Sequence, residues 1–136
     1  MEHPIDVETA LAEYWSADDV LQDIKLRFGR ASEGDLPPMA VMTTISTPGS
    51  RRGGTERSTD TEYVHQRINL RVYQVSEFQC GKLSKLVLSR LREASINEFL
   101  QMRILTDGHA VEESDRIWTW DSSVDILYAR DRVAIA

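Results

Sequence analysis

Cysteine is nearly missing from this chain: Cys80 stands alone, so no disulfide can close within it. Histidine is almost as scarce. His3, His65 and His109 are too far apart for any metal-ligand spacing and have no second Cys or His beside them, so solvated or partly buried histidines are expected rather than a metal centre. Nowhere does an apolar run approach the roughly 18 residues that span a bilayer. The opening Met1-Glu2-His3-Pro4 lacks the basic and apolar regions of a signal peptide, so the expectation is a protein made and used in a reducing cytoplasm. There is no Gly-Lys-Ser/Thr to cradle a phosphate and no Gly-x-Ser-x-Gly elbow. No cofactor and no catalytic set is implied. An excess of positive charge is missing too. The net charge of −6 argues against general affinity for nucleic acid, because the phosphate contribution needs a basic surface.

What is present is the material of one domain: 136 residues, enough to bury a self-sufficient core. The clearest signal runs from Tyr63 to Ala94. Val64, Gln66, Ile68, Leu70 and Val72 alternate with Tyr63, His65, Arg67, Asn69, Arg71 and Tyr73, the period of a strand with one apolar face. Ser76-Glu-Phe-Gln79 has the spacing of a capping box. Beyond it, Cys80, Leu83, Val87, Leu91 and Ala94 recur at helical steps and form one stripe. Cys80 is thereby read as a small buried hydrophobe, with a catalytic thiol as the lesser alternative. A second long amphipathic strand starts at Trp118, with Trp118, Trp120, Val124, Ile126 and Tyr128 on one side. Two such strands most simply pair antiparallel.

The remaining segments are shorter. Asp6 can cap a helix carrying Val7, Ala10, Leu11 and Tyr14, with a break expected after Trp15. Ser16-Ala-Asp-Asp restarts a second helical stripe of Val20, Leu21, Ile24 and Phe28, ended by Gly29, so two short helices or one bent helix fit equally well. Pro37-Pro38 closes a loop and leads into a strand from Met39 to Thr47 with both faces partly covered. Met102 to Leu105 predicts a brief strand before an Asp107-Gly108 turn, while Ala110 to Asp115 can be extended or loop. Glu112, Glu113 and Asp115, with Asp107 and Asp121, lack the pattern of a calcium loop and read as a solvated acidic hairpin.

Thr47 to Glu62 is rich in glycine and holds Arg51, Arg52 and Arg57 with hardly an apolar residue, so a long flexible loop is expected. Three readings of it stand open: an arm that contacts another subunit, a solvated segment, and a DNA contact, the last weakened by Glu56, Asp60 and Glu62 and by the lack of aromatics for stacking.

Taken in order, the paired N-terminal helices, Leu36-Pro-Pro before Met39-Ala-Val-Met-Thr-Thr-Ile-Ser, the polar loop, Arg67-Ile-Asn-Leu-Arg-Val-Tyr, a helix and Ile117-Trp-Thr-Trp-Asp-Ser-Ser-Val-Asp-Ile-Leu-Tyr resemble the tail terminator (tail completion) proteins of long-tailed bacteriophages over nearly the whole chain. The resemblance implies a single α+β domain, an antiparallel sheet of about four strands flanked by helices. It implies a structural protein rather than an enzyme, with no cofactor. Such a protein forms a ring, usually a hexamer, that caps the tail tube, joins it to the head connector and lets DNA pass without specific binding. It would be assembled in the host cytoplasm and end in the virion at the head-tail interface. The long arginine-bearing loop departs from the family's pattern. With it, Tyr63, Tyr73 and Leu127 on the outer strand faces are candidate subunit contacts, alongside Arg51, Arg52 and Arg57. The alternatives are another head-tail joining protein, such as a head-closure or tail-tube subunit, and a small α+β enzyme.

Overall fold

The computed structural model describes residues 7–31, 34–45, 49–52, 61–97, 99–106 and 108–131. Within them the chain runs α1 (Val7–Ala17), a 3-10 turn (Leu21–Asp23), β1 (Lys25–Phe28), β2 (Met39–Thr44), β3 (Gly49–Arg52), β4 (Thr61–Gln74), α2 (Glu77–Arg92), β5 (Gln101–Thr106), β6 (Ala110–Ser114) and β7 (Ile117–Asp131). The architecture is α+β in one small domain.

The two long amphipathic segments form the spine. β4 and β7 pair antiparallel from Thr61 opposite Asp131 to Gln74 opposite Trp118. That register sets Ile68 opposite Val124, Leu70 opposite Ser122 and Val72 opposite Trp120, so the apolar residues of both strands share one face. β2 pairs antiparallel with the other edge of β4, and β1 runs parallel to β2. β3 also pairs with β4, beyond the reach of β2. On the far side of β7 lie β5 and β6, in line with each other. The order is β1-β2-β4-β7-β5, with β3 and β6 added off that path, giving seven strands among the described residues. The expected antiparallel sheet of about four strands is thus corrected to a larger, mixed one. Its extra strands are short: β3 and β6 are largely polar, and the alternation of β1 spans only four residues.

The helices do not flank the sheet on both sides. Leu11 of α1 and Leu91 of α2 converge with Met42, Ile68, Met102, Val124 and Ile126, all on the same sheet face. One core results, including Val64, Ile68, Leu70, Val72, Val87, Leu91, Trp120, Val124 and Ile126, with Leu83 and Trp118 packed at its margin. α2 begins as its sequence predicts: Ser76 is extended and its hydroxyl accepts from the Gln79 amide at 3.2 Å. Cys80 is buried in the stripe, and Ser84 and Leu88 join it there.

Two expectations about the N-terminal region are overturned. α1 does not break after Trp15 but continues to Ala17, and Trp15 is buried with its indole N–H donating to the Ile24 carbonyl at 2.7 Å. The second helix is absent: Leu21–Asp23 is a single 3-10 turn and Lys25–Phe28 is β1. The reason is local. The Asp18 carboxylate accepts from the amides of both Val20 and Leu21 at 3.0 Å, which ends α1 and caps the short turn that follows, and Lys-Leu-Arg-Phe then follows the period of two that suits pairing with β2. Asp6, the expected cap of α1, lies outside the described residues, as does the C-terminal stretch 132–136.

Residues 47–62 were expected to form one flexible loop. Gly49–Arg52 instead lies as β3 against β4, Ser50 opposite Val64 and Arg51 opposite Tyr63. Ladder bonds need only backbone groups, so a polar Gly-Ser-Arg-Arg segment can satisfy the edge of β4 without an apolar face. Residues 53–60 lie outside the description.

Candidate functional site on the open sheet face

With both helices on one side, the charged outward rows of β4 and β7 lie on the other, where Met39, Val41 and Thr119 are nevertheless buried. The central row of that side comes from the odd-numbered positions of β4 and β7. Arg67 stands opposite Asp125, Asn69 opposite Ser123, Arg71 opposite Asp121 and Tyr73 opposite Thr119. Arg103 of β5 stands opposite Asp125 on its other side, so this rung reads Arg, Asp, Arg across three strands. Alternation places these side chains outward, and the antiparallel register brings opposite charges together.

The densest cluster centres on Asp121. Arg71 Nε donates to Asp121 Oδ1 at 2.8 Å and Arg71 Nη2 to Oδ2 at 3.2 Å, a forked pairing that fixes both groups. Asn69 Nδ2 adds a bond to Oδ1 at 3.0 Å, and Glu113 of β6 lies 3.8 Å from Arg71 Nη1. Burial pushes the Asp121 carboxyl up, but the bonds from Arg71 and Asn69 outweigh it and hold the group below the ordinary carboxylate range. Arg71 is held protonated, first by Asp121 and then by Tyr73. A carboxylate locked in this way remains ionised at neutral pH and is a poor general acid. It is suited to hold a surface in a fixed shape. The chain connecting β5 to β6 presses on the same place, since a Cβ on Gly108 would collide with the backbone carbonyl of Asp121.

Nearer the other end, His65 Nδ1 sits 3.3 Å from Asp125 Oδ2, and the pair is ionic only when His65 is protonated. On the β1 side, Asp35 receives Lys25 Nζ at 3.1 Å and Arg27 Nε at 3.0 Å.

No family model matches the chain, and no curated protein matches it.

The candidate contact residues are distributed unevenly over this face. Tyr63, Tyr73 and Leu127 all face it, each half-buried rather than fully exposed. Tyr63 lies opposite Ala129 and beside Arg51 of β3, and Leu127 lies opposite His65. Tyr63, Leu127 and the Arg51 position thus share one end. Tyr73 is ten residues farther along β4, about 33 Å away at strand rise, beside the Arg71 and Asp121 cluster. The structure therefore divides the six candidates. Arg51 and Arg52 are placed by their backbone in β3, and Arg57 lies outside the described residues.

The Arg71, Asn69 and Asp121 cluster was not singled out from sequence. Of the acidic residues grouped in the sequence, Asp121 belongs to this cluster, Asp107 lies outside the described residues, and Glu112, Glu113 and Asp115 lie in an exposed hairpin: β6 and β7 are joined at Asp115-Arg116, with Arg116 at a positive φ of 63°. Alternation alone puts Arg71 and Asp121 on outward faces. Only the register makes them neighbours. Among the remaining candidates, Cys80 is buried with its thiol against the Val72 carbonyl, and burial raises its pKa, the opposite of an activated nucleophile. The Ser84 hydroxyl, buried one turn on, has no hydrogen-bond partner stronger than the weak contact of that sulfur.

Proposed function

We propose that this chain is a structural virion protein that caps a phage tail tube as a ring, hexameric by the resemblance, and joins the tube to the head connector. The observation that carries the reading is the outward face of the β4 and β7 pair: a row of opposed charges in which Arg71 is locked to Asp121, with Tyr63 and Leu127 at one end and Tyr73 at the other. A surface made rigid by its own ion pairs loses little entropy when a neighbour covers it, and tyrosine and arginine are enriched at such contacts. In this role the open face meets neighbours in the assembly, and the arginine segment 51–57 serves as a contact arm.

The electrostatics fit a passage for DNA. A ring that must let the duplex slide should not hold phosphate, and a chain of net charge −6 repels it on average. The locked state of Asp121 and the buried Cys80 thiol, its pKa raised, suit structural roles for these groups.

Electron microscopy of the purified protein mixed with tail tubes tests the reading. Density at one tube end, with tube growth stopped, is expected. Labelling along the whole tube would replace the terminator with a tube subunit, and failure to bind tubes while binding a portal ring would replace it with a head-closure protein.

A further inference from the structure

The helix layer is strongly segregated by charge. Between Val7 and Ile24 the chain holds Glu8, Glu13, Asp18, Asp19 and Asp23 and no lysine or arginine. α2 is the reverse, with Lys82, Lys85, Arg90 and Arg92 against Glu77 alone. The two elements are joined within one molecule by an ion pair, Arg90 Nη2 to Asp18 Oδ1 at 3.1 Å, supported by the Tyr14 hydroxyl donating to the Arg90 carbonyl. Lys82 and Lys85 are exposed, as are Glu13, Asp19 and Asp23, and none of the five side chains has an ion-pair partner among the described residues. On the same face of α2, Phe78 is 77% exposed and Leu86 42% exposed, one turn before and one turn after Lys82. Large apolar side chains left in water beside unpaired cations, on a molecule that is acidic overall, mark a face that another surface covers.

We propose that this occupant is a second copy of the chain, and that the α2 stripe of Phe78, Lys82, Lys85 and Leu86 docks on the acidic surface of Glu13, Asp19 and Asp23 in its neighbour. The choice of a second copy rests on the ring reading, and the charges supply the complementarity. The chain itself carries the acidic surface its basic stripe would need. Because the two patches differ, the contact is head-to-tail, the type that closes a ring or propagates a filament rather than forming a two-fold dimer. Phe78 and Leu86 supply the apolar centre, while the charges around them set register and speed encounter.

Charge reversal tests this on the full chain, read by sedimentation across a concentration series. The wild type should associate, and less so as salt is raised. Lys82→Glu with Lys85→Glu, and separately Glu13→Lys with Asp19→Lys and Asp23→Lys, should each weaken self-association about tenfold or more, since each places like charges across the contact. Mixing the two variants in equal amounts, or combining all five changes in one chain, should restore it. Phe78→Ser should weaken association while keeping its salt dependence. A wild type that stays monomeric at all concentrations, or reversals that leave association unchanged, would overturn the contact. So would a mixture that fails to recover although both variants melt as the wild type does. Tube capping is scored separately. Rescue by charge swap without capping removes the terminator reading alone, and capping by rings that survive both reversals removes this contact alone.

Discussion

Gly108 and Asp18 show how single positions hold this fold. At Gly108 the requirement is space: the connection into β6 passes so close to the Asp121 carbonyl that a methyl group has no room. Gly108→Ala should therefore cost about 1–3 kcal/mol, read as a lowered midpoint of denaturant unfolding, and should loosen the Arg71 and Asp121 pairing next to it. At Asp18 the requirement is charge. Burial pushes its carboxyl up, but the Leu21 amide, Arg90 and the Val20 amide together pull it below the ordinary range. A folded-state value below the unfolded one means that ionised Asp18 stabilises the fold at neutral pH, and that this contribution is lost as pH falls below about 4. Thermal melts across that window should show the wild type losing stability more steeply than Asp18→Asn, which starts lower and responds less.

Among the elements, the pairing of β4 with β7 beneath α2 is where most of the apolar burial is concentrated. Leu70 and Val87 are both essentially inaccessible and belong to the same core. Truncating Leu70 to Ala should cost about 2–5 kcal/mol, and Val87→Ala somewhat less, having fewer methyl groups to lose. Unchanged melting in both variants would contradict the packing of α2 on this strand pair. Elements of this kind were legible in the sequence because alternation over more than ten residues and a capped helical stripe each leave one physical solution. The residues 24–28 were not. Ile24, Leu26 and Phe28 fit a strand, whereas Val20, Leu21, Ile24 and Phe28 fit a helix. What decided between them was a free edge on β2 that β1 could fill.

For the molecule as a whole, the arginine segment provides a test that separates folding from assembly. β3 contributes backbone pairing at the rim of β4, and ladder bonds are made by backbone groups. Replacing Arg51, Arg52 and Arg57 with Ser should leave thermal unfolding nearly unchanged while weakening the proposed self-association in a sedimentation assay. A destabilised monomer that assembles normally would assign these arginines to the fold, and lost DNA binding with assembly intact would assign them to nucleic acid. The sequence by itself determined the α+β class, the two long strands, the capped α2 helix and most of the central core, because period and capping are local properties of the chain. The tertiary structure decided which edges the short polar strands fill, that both helices share one face, and that Arg71 meets Asp121. Each depends on register between segments distant along the chain, where backbone bonding is satisfied by any sequence and only the packing of the buried face selects one alignment.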